Sequence, residues 1–491
     1  MNLPVAIIGG GPVGLAAAQL VQRGEAFIVL EAGGQVGASV LEWGHVRMFS
    51  PWEYNMDKAA VTLLSKYEWK APKPEDIPTG RELVENYMQP LAAIPEIAPY
   101  IHLSSKVISV GRRDMDKMKT KGRDQVPFVI QFEQNGEIHV IEAKAVIDAT
   151  GTWKNPNPVG SGGILAKGEQ DASSRITYGI PDVYGKQRNR YAGKKVLVVG
   201  SGHSAINTIL DLNRLKEEVP STEIFWALRK KNIYETYGGG EADQLPARGA
   251  LGTAIKSLVE NGRIHVFTPL QIQEVSCKND ALTIGGVLNG EPFKLEGIDE
   301  VITNTGARPD TQFIRELRYQ VDPAIESVPG LAELIDPNIH SCGTVRPHGE
   351  AELRQAEKDF YIVGMKSYGR APTFLLATGY EQVRSVIAGL VGDWEAAKKV
   401  ELRLPETGVC SVSFSADPQE VSSCCAPPPI KSSSCCGSDP VKSTSHNDDS
   451  CCESTASKAS VVGSSASIKV LTTEAQTCCA PAPQKSSNCC G

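Results

Sequence analysis

An α/β fold of parallel sheets flanked by helices, followed by a long coreless tail, is what this sequence predicts, and three observations carry that expectation. Short apolar runs alternate with helical patterns up to about residue 405. A strand, glycine turn and helix occur in succession twice, in "VAIIGGGPVGLAAAQLVQRG" from Val5 and in "KKVLVVGSGHSAINTILDLNRL" from Lys194. Ten of the thirteen cysteines then form five adjacent pairs beyond Gly408, from Cys424 onward.

A chain of 491 residues with 41% hydrophobic content can fill at least two cores. The net charge is −7 and no Lys/Arg cluster dominates a face-sized stretch, which sets nucleic-acid binding aside. The basic run "RRDMDKMKTKGR" (112–123) reads as a solvated hairpin tip. No apolar run approaches the roughly 18 residues a membrane span needs. The start "MNLPVAIIGGG" lacks a basic leader and a cleavage pattern, so it reads as a first strand. The expectation is a cytoplasmic protein without membrane contact, in a compartment that keeps thiols reduced.

Taken in order, the first unit places Gly9, Gly11 and Gly14 as G-x-G-x-x-G directly after a strand. Glycine serves there in the tight turn, in the approach of backbone to a pyrophosphate, and in close helix–strand packing. The next strand, "AFIVLEA", ends in Glu31, an acceptor suited to a ribose hydroxyl. The second unit has Gly200, Gly202 and Ala205, with His203 and Ser204 in the same turn. Its second strand, "EIFWALRK", runs into Arg229, Lys230 and Lys231, where an acid would suit a free ribose 2′-hydroxyl. Basic groups suit a 2′-phosphate, favouring NADPH over NADH; a solvated strand end is the other reading. Two Rossmann-like dinucleotide-binding domains follow from these units.

Two further strands, "AVIDATGTW" (145–153, with Thr150 and Gly151) and "EVITNTGARPD" (300–310), each end in Thr-Gly, and a strand and helix close the body at 360–393. These segments together resemble two-dinucleotide flavoproteins, the group containing flavin-dependent monooxygenases and thioredoxin-reductase-like enzymes, over nearly all of residues 3–395. The resemblance implies an NADPH domain inserted in an FAD domain. The boundaries expected are 1–160 and 311–405 for the FAD domain, 161–310 for the NAD(P)H domain, and 406–491 for a disordered tail. It implies that Gly9, Gly11, Gly14 and Glu31 hold the adenosine half of FAD, while Gly364 and the helix near Thr378 face the rest of it. Met365 stands where the group usually places an Asp for the ribityl hydroxyls, leaving Lys366 or Ser367 to substitute.

The stretch "EWGHVRMFSPWEYNMD" (42–57) offers Trp43, His45, Arg47, Trp52 and Tyr54 as flavin or substrate neighbours, or else an aromatic-anchored loop packed on the domain. No catalytic residue is assignable. The body has Cys277 and Cys342, both isolated, so a C-x-x-C disulfide relay is absent from it. The monooxygenase fingerprint F-x-G-x-x-x-H is matched only by Tyr178 and Gly179. The leading expectation is an FAD- and NADPH-dependent, monooxygenase-like oxidoreductase acting on a small molecule, similar to flavoproteins of arsenic resistance gene clusters. An NADPH-dependent thiol or disulfide reductase and a soft-metal-sequestering protein are the alternatives. A homodimer is compatible with either enzyme.

In the tail, "CCAPPPIKSSSCCG" (424–437) returns as "CCAPAPQKSSNCCG" (478–491), identical at eleven of fourteen positions. The pairs are Cys424 with Cys425, Cys435 with Cys436, Cys451 with Cys452, Cys478 with Cys479, and Cys489 with Cys490. Adjacent Cα atoms stand about 3.8 Å apart, below the usual disulfide range, so a pair does not readily close on itself. Paired thiolates instead offer soft donors for trivalent arsenic or a soft metal; a zinc or copper store and incidental cysteines are the other readings. Serine-rich, aromatic-poor sequence cannot offset its ordering entropy by burial, hence the expected disorder.

Overall fold

Val5–Ile8 (β1) is four consecutive apolar residues, all buried, as a strand covered on both faces requires. Phe27–Leu30 (β2) and Ile101–His102 (β3) follow it. Ser105–Arg112 (β4), Phe128–Gln134 (β5) and Glu137–Ala143 (β6) form an antiparallel meander, and Ala145–Asp148 (β7) returns to the first sheet. The second set is Ile176–Tyr178 (β8), Lys195–Val199 (β9), Glu223–Ala227 (β10) and His265–Phe267 (β11). A second meander, Leu270–Lys278 (β12), Ala281–Leu288 (β13) and Glu291–Ile298 (β14), precedes Glu300–Thr303 (β15). Phe360–Ile362 (β16) is the last strand among the described residues.

This computed structural model describes residues 3–402 apart from 239, 241–242, 244, 279, 339–347 and 372–373. The chain divides into Met1–Asp417 and Pro418–Gly491. Cys342 and the expected tail disorder lie outside the described residues. So do all ten cysteines expected to hold a metal or metalloid: Cys424, Cys425, Cys435, Cys436, Cys451, Cys452, Cys478, Cys479, Cys489 and Cys490. Among the described residues no group of His, Cys, Asp and Glu is arranged to hold a metal ion.

Two five-stranded parallel sheets result, in the orders β16-β7-β1-β2-β3 and β11-β10-β9-β15-β8. The second lies wholly within the sequence gap between β7 and β16, so one α/β unit is inserted in the other. In both, strand order reverses beside the central strand, between β1 and β7 and between β9 and β15. Ligands of open α/β sheets bind outside the strand ends at such switch points. Helices α1 (Ala18–Gln22), α2 (Lys58–Leu64) and α5 (Leu376–Leu390) belong to the first unit, α3 (His203–Glu218) and α4 (Pro246–Glu260) to the second. No helix among the described residues is long and apolar enough to cross a membrane.

The basic run 112–123 is a solvated tip between β4 and β5 along its length but not at its ends. Its two ends, Arg112 and Arg123, are 5% and 1% exposed and both grip the buried Glu357. Arg112 Nε donates to Glu357 Oε1 at 2.8 Å and Arg123 Nη2 to Oε2 at 2.8 Å. The Arg318 amide adds a bond of 2.9 Å. Burial alone would raise the Glu357 carboxyl, but the two guanidinium groups prevail and hold it below its ordinary range. Only the intervening residues, Met118 above all, face water. The cluster ties the first meander to the segment leading into β16.

Asp57 caps α2, accepting from the Ala60 amide at 3.0 Å and from Gln19 Nε2 at 3.1 Å. Burial pushes its carboxyl up to about 6, against these two hydrogen bonds. The folded chain therefore binds more protons than the unfolded chain between about pH 4 and 6. The associated stability is fully present below about pH 4 and is lost as pH rises through about 6. Denaturation midpoints of Asp57→Asn and the native chain, compared at pH 4 and pH 7, should shift in favour of the variant by on the order of 3 kcal/mol.

Candidate functional site

The two glycine turns sit at the two switch points and repeat one construction. Gly9 has φ +105°, and a Cβ on it would stand 2.8 Å from the Ala149 carbonyl oxygen just beyond β7. Gly200 has φ +136°, and a Cβ on it would stand 2.2 Å from the Asn304 carbonyl oxygen just beyond β15. A Cβ on Gly14 would fall 1.9 Å from the Gly9 carbonyl oxygen, whereas the second turn accommodates the methyl of the buried Ala205. Gly11 and Gly202, by contrast, have nothing within 4 Å of such a Cβ. First and third positions are thus fixed by packing, and the middle glycine leaves main chain open, as a diphosphate requires.

Each turn is fastened from behind. Glu31 Oε2 accepts from the Gly10 amide at 2.5 Å and Oε1 from the Gly33 amide at 2.7 Å. Both oxygens keep a lone pair for a ribose hydroxyl. In the second turn the buried Trp226 donates Nε1 to the Gly200 carbonyl at 2.7 Å. Arg229 Nη1 donates to the Ser161 carbonyl at 2.8 Å and Lys230 Nζ to the Glu235 carbonyl at 2.9 Å. Neither side chain is paired with an acid among the described residues, and each retains N–H donors beyond β10. Ser204 lies half-buried in the first turn of α3, its carbonyl accepting from Thr208. His203 packs 5.4 Å from the Phe49 ring; burial, then Arg248, pull its imidazole below the ordinary value while Asp243 opposes them.

On the first unit, Lys366 Nζ reaches Asp148 Oδ2 at 2.6 Å and Thr150 Oγ1 at 3.0 Å, and lies 4.6 Å above the Phe313 ring. Thr150 donates in turn to Asp148 Oδ1 at 2.7 Å. Gly364 has φ +69°, its amide donating to Gln382 Oε1 at 2.7 Å, while Ser367 Oγ donates to the Gly364 carbonyl at 2.7 Å. Lys366 and Ser367 are therefore both buried and bonded within the protein. Gly151 (φ +67°) is open. Thr378 is 5% exposed in the first turn of α5, next to Gly379, where a Cβ would stand 2.6 Å from Val13.

The 42–57 stretch scatters rather than converging. Trp43 covers Gly80 and lies 6.5 Å from Trp153, whose Nε1 donates to Glu42 at 2.8 Å. Arg47 is pinned to the Ile77 carbonyl at 2.6 Å and Trp52 is core. His45 Nε2 is buried without a hydrogen-bond partner among the described residues. Tyr54 lines a separate cavity of about 840 Å³ with Gln19, Asp57, Tyr380, Glu381 and Arg384. Helical periodicity puts Tyr380, Glu381 and Arg384 on the face of α5 away from Gly379 and Gln382, so this cavity is not the glycine crevice. Phe49, which touches His203, was not distinguishable in the sequence from its aromatic neighbours. Cys277 is an exposed free thiol on β12.

Residues 6–329 match the family model described as pyridine nucleotide-disulphide oxidoreductase. The chain belongs to that family. It is an FAD-dependent NAD(P)H oxidoreductase. It is 24% identical over 305 residues to ferredoxin–NADP reductase 2 of Bacillus licheniformis, covering 62% of this chain and 72% of that protein. Its fold is similar to bacillithiol disulfide reductase from Bacillus cereus (TM-score 0.60, 18% identity, 80% of this chain and 99% of the other). It is also similar to the desferrioxamine-pathway cadaverine monooxygenase from Erwinia amylovora (TM-score 0.57, 13% identity, 86% and 99%). In this oxidoreductase the open faces at Gly11 and Gly202 fit two dinucleotides.

Substitutions at the second turn should separate its two roles. Gly200→Ala meets the Asn304 carbonyl and should lower stability by about 1–3 kcal/mol. Gly202→Val enters open space with an ordinary φ, so its unfolding midpoint should match the native chain while NADP⁺ affinity, by calorimetry, falls tenfold or more.

Proposed function

We propose that the protein is an NADPH-dependent flavoprotein monooxygenase whose cysteine-paired tail binds a thiophilic metalloid. One observation carries the first half. The family to which the chain belongs is described by disulfide chemistry, yet the body has no cysteine pair to relay electrons: Cys277 and Cys342 stand 65 positions apart and Cys277 is on the outer meander. Oxygen is an acceptor that needs no protein thiol. The reaction balances as NADPH, H⁺, O₂ and substrate giving NADP⁺, oxygenated substrate and water. Bound FAD supplies the transfer of two electrons between NADPH and oxygen.

The chain's own residues bind and orient. Gly9, Gly11, Gly14 and Glu31 hold the adenosine half of FAD, with Thr150, Gly151, Gly364 and Thr378 along its other half. Gly200, Gly202 and Ser204 hold the diphosphate of NADPH, and Arg229 and Lys230 its 2′-phosphate. Trp43 and Trp153 form an aromatic wall between the units, and Arg47 braces the loop that carries Trp43. The second half of the reading rests on sequence, on the five pairs that begin at Cys424, Cys435, Cys451, Cys478 and Cys489 and end at Cys425, Cys436, Cys452, Cys479 and Cys490. Their soft donors suit trivalent arsenic. Such a tail would concentrate a metalloid substrate near the enzyme. The same pairs support the rival reading, a disulfide reductase whose electrons leave through the tail, given the fold it shares with bacillithiol disulfide reductase.

Arg229→Ala alone should raise KM for NADPH by roughly 5- to 150-fold, Lys230→Ala likewise, and both should leave NADH nearly unchanged, since each charge-assisted contact contributes about 1–3 kcal/mol. Equal losses for both cofactors would remove the 2′-phosphate assignment. NADPH oxidation should stop without oxygen and resume when it is admitted, equally in a chain with all ten paired cysteines changed to serine. Rapid anaerobic NADPH oxidation with a disulfide, lost in that variant, would instead establish the reductase. Arsenite titration should saturate the native chain at more equivalents than the serine variant; equal uptake would refute the metalloid role.

A further inference from the structure

The residue facing the first glycine across each switch point differs between the two crevices. Ile8 lies opposite Asp148 and Val199 opposite Thr303, so Gly9 and Ala149 in one unit occupy the places of Gly200 and Asn304 in the other. Thr-Gly follows in both. The first crevice thus carries a methyl where the second carries a carboxamide.

Asn304 is 8% exposed, and its Nδ2 donates to the Gly179 carbonyl at 2.7 Å. That bond fixes the orientation of the amide, because a carbonyl can only accept. Oδ1 is then left buried, with no donor among the described residues. A bare buried acceptor is unfavourable and calls for a donor from outside the protein chain.

The sheet order says which ligand group arrives there. β10, ending in Arg229 and Lys230, flanks β9 on one side, and β15, ending in Asn304, flanks it on the other. A dinucleotide with its diphosphate at Gly202 and its 2′-phosphate beyond β10 lays its other half over β15. On that side a Cβ on Gly179 would stand 3.0 Å from the Trp153 ring, which pairs with Trp43 of the first unit. The half over β15 therefore points toward the unit that holds the flavin.

We infer that Asn304 recognises the nicotinamide half of NADPH, its Oδ1 accepting a hydrogen bond from a donor of that half. The assignment rests on the NADPH reading above and adds the residue that distinguishes this crevice from its partner. The test is calorimetric titration of the FAD-loaded full chain and of Asn304→Ala with NADP⁺ and with adenosine 2′,5′-bisphosphate, which lacks the nicotinamide half. NADP⁺ should bind the variant about tenfold more weakly and the bisphosphate within twofold of the native chain, with flavin content unchanged. Unchanged NADP⁺ affinity, or equal loss on both probes, overturns the role of Asn304 alone. Failure of the native chain to bind NADP⁺ overturns the NADPH reading itself. Should Asn304→Ala not fold, Asn304→Ser keeps a hydroxyl near the Gly179 carbonyl and carries the same expectations.

Discussion

Each crevice depends on one close approach, that of the main chain at its first glycine to the carbonyl ending the strand across the switch point. At Gly9 and Gly200 there is no room for a Cβ, and the backbone turns through positive φ to leave the strand. The turn then places the middle glycine with its face open and brings the helix down onto the third small residue. Glu31 behind the first turn and Trp226 behind the second hold their loops by main-chain hydrogen bonds. The ligand-facing side is kept bare because the opposite side is so fully occupied.

The two units diverge in what lies beneath that approach. In the first, Asp148 ends β7 and pairs with Lys366, both fully buried, while the exposed Thr150 bonds to each of them. In the second, Thr303 takes the place of Asp148, and its hydroxyl has no partner among the described residues. The difference follows from topology. Beside β7 lies β16, whose continuation delivers Lys366; beside β15 lies β8, which delivers Gly179 and the carbonyl that holds Asn304. A buried ion pair adds little to net stability but is strongly unfavourable to break, so Lys366 fixes how the returning chain seats against the first sheet.

Strands and glycine turns were legible because their signals are local: four or five apolar residues buried on both faces, then glycine at fixed spacing. Arg112 and Arg123 were not, because a basic run looks solvated until its acid arrives, and Glu357 lies 245 and 234 positions away. Lys366 failed for the same reason, its partner Asp148 being 218 positions distant. The aromatic stretch 42–57 has no periodicity to separate Trp52, which is core, from Trp43, which faces Trp153. Asn304 carries no motif at all; its significance appears only when the two crevices are superposed residue by residue.

The interleaving of the two sheets has a consequence for biosynthesis. β1, the partner of β7 on one side, is made before it, but the other edge of β7 waits for β16. Residues 149–359 are made in between, and at about 5–20 residues per second that interval lasts roughly 10–40 s. During it the nascent first sheet presents an unpaired apolar edge, the kind that recruits foreign strands. The inserted unit needs no later strand, since β8 to β15 are contiguous in sequence, so it can complete its own sheet while still tethered to the ribosome. The order of maturation is thereby opposite to the order of the motifs along the chain: the inserted unit can close first, and the unit that begins at Val5 closes last.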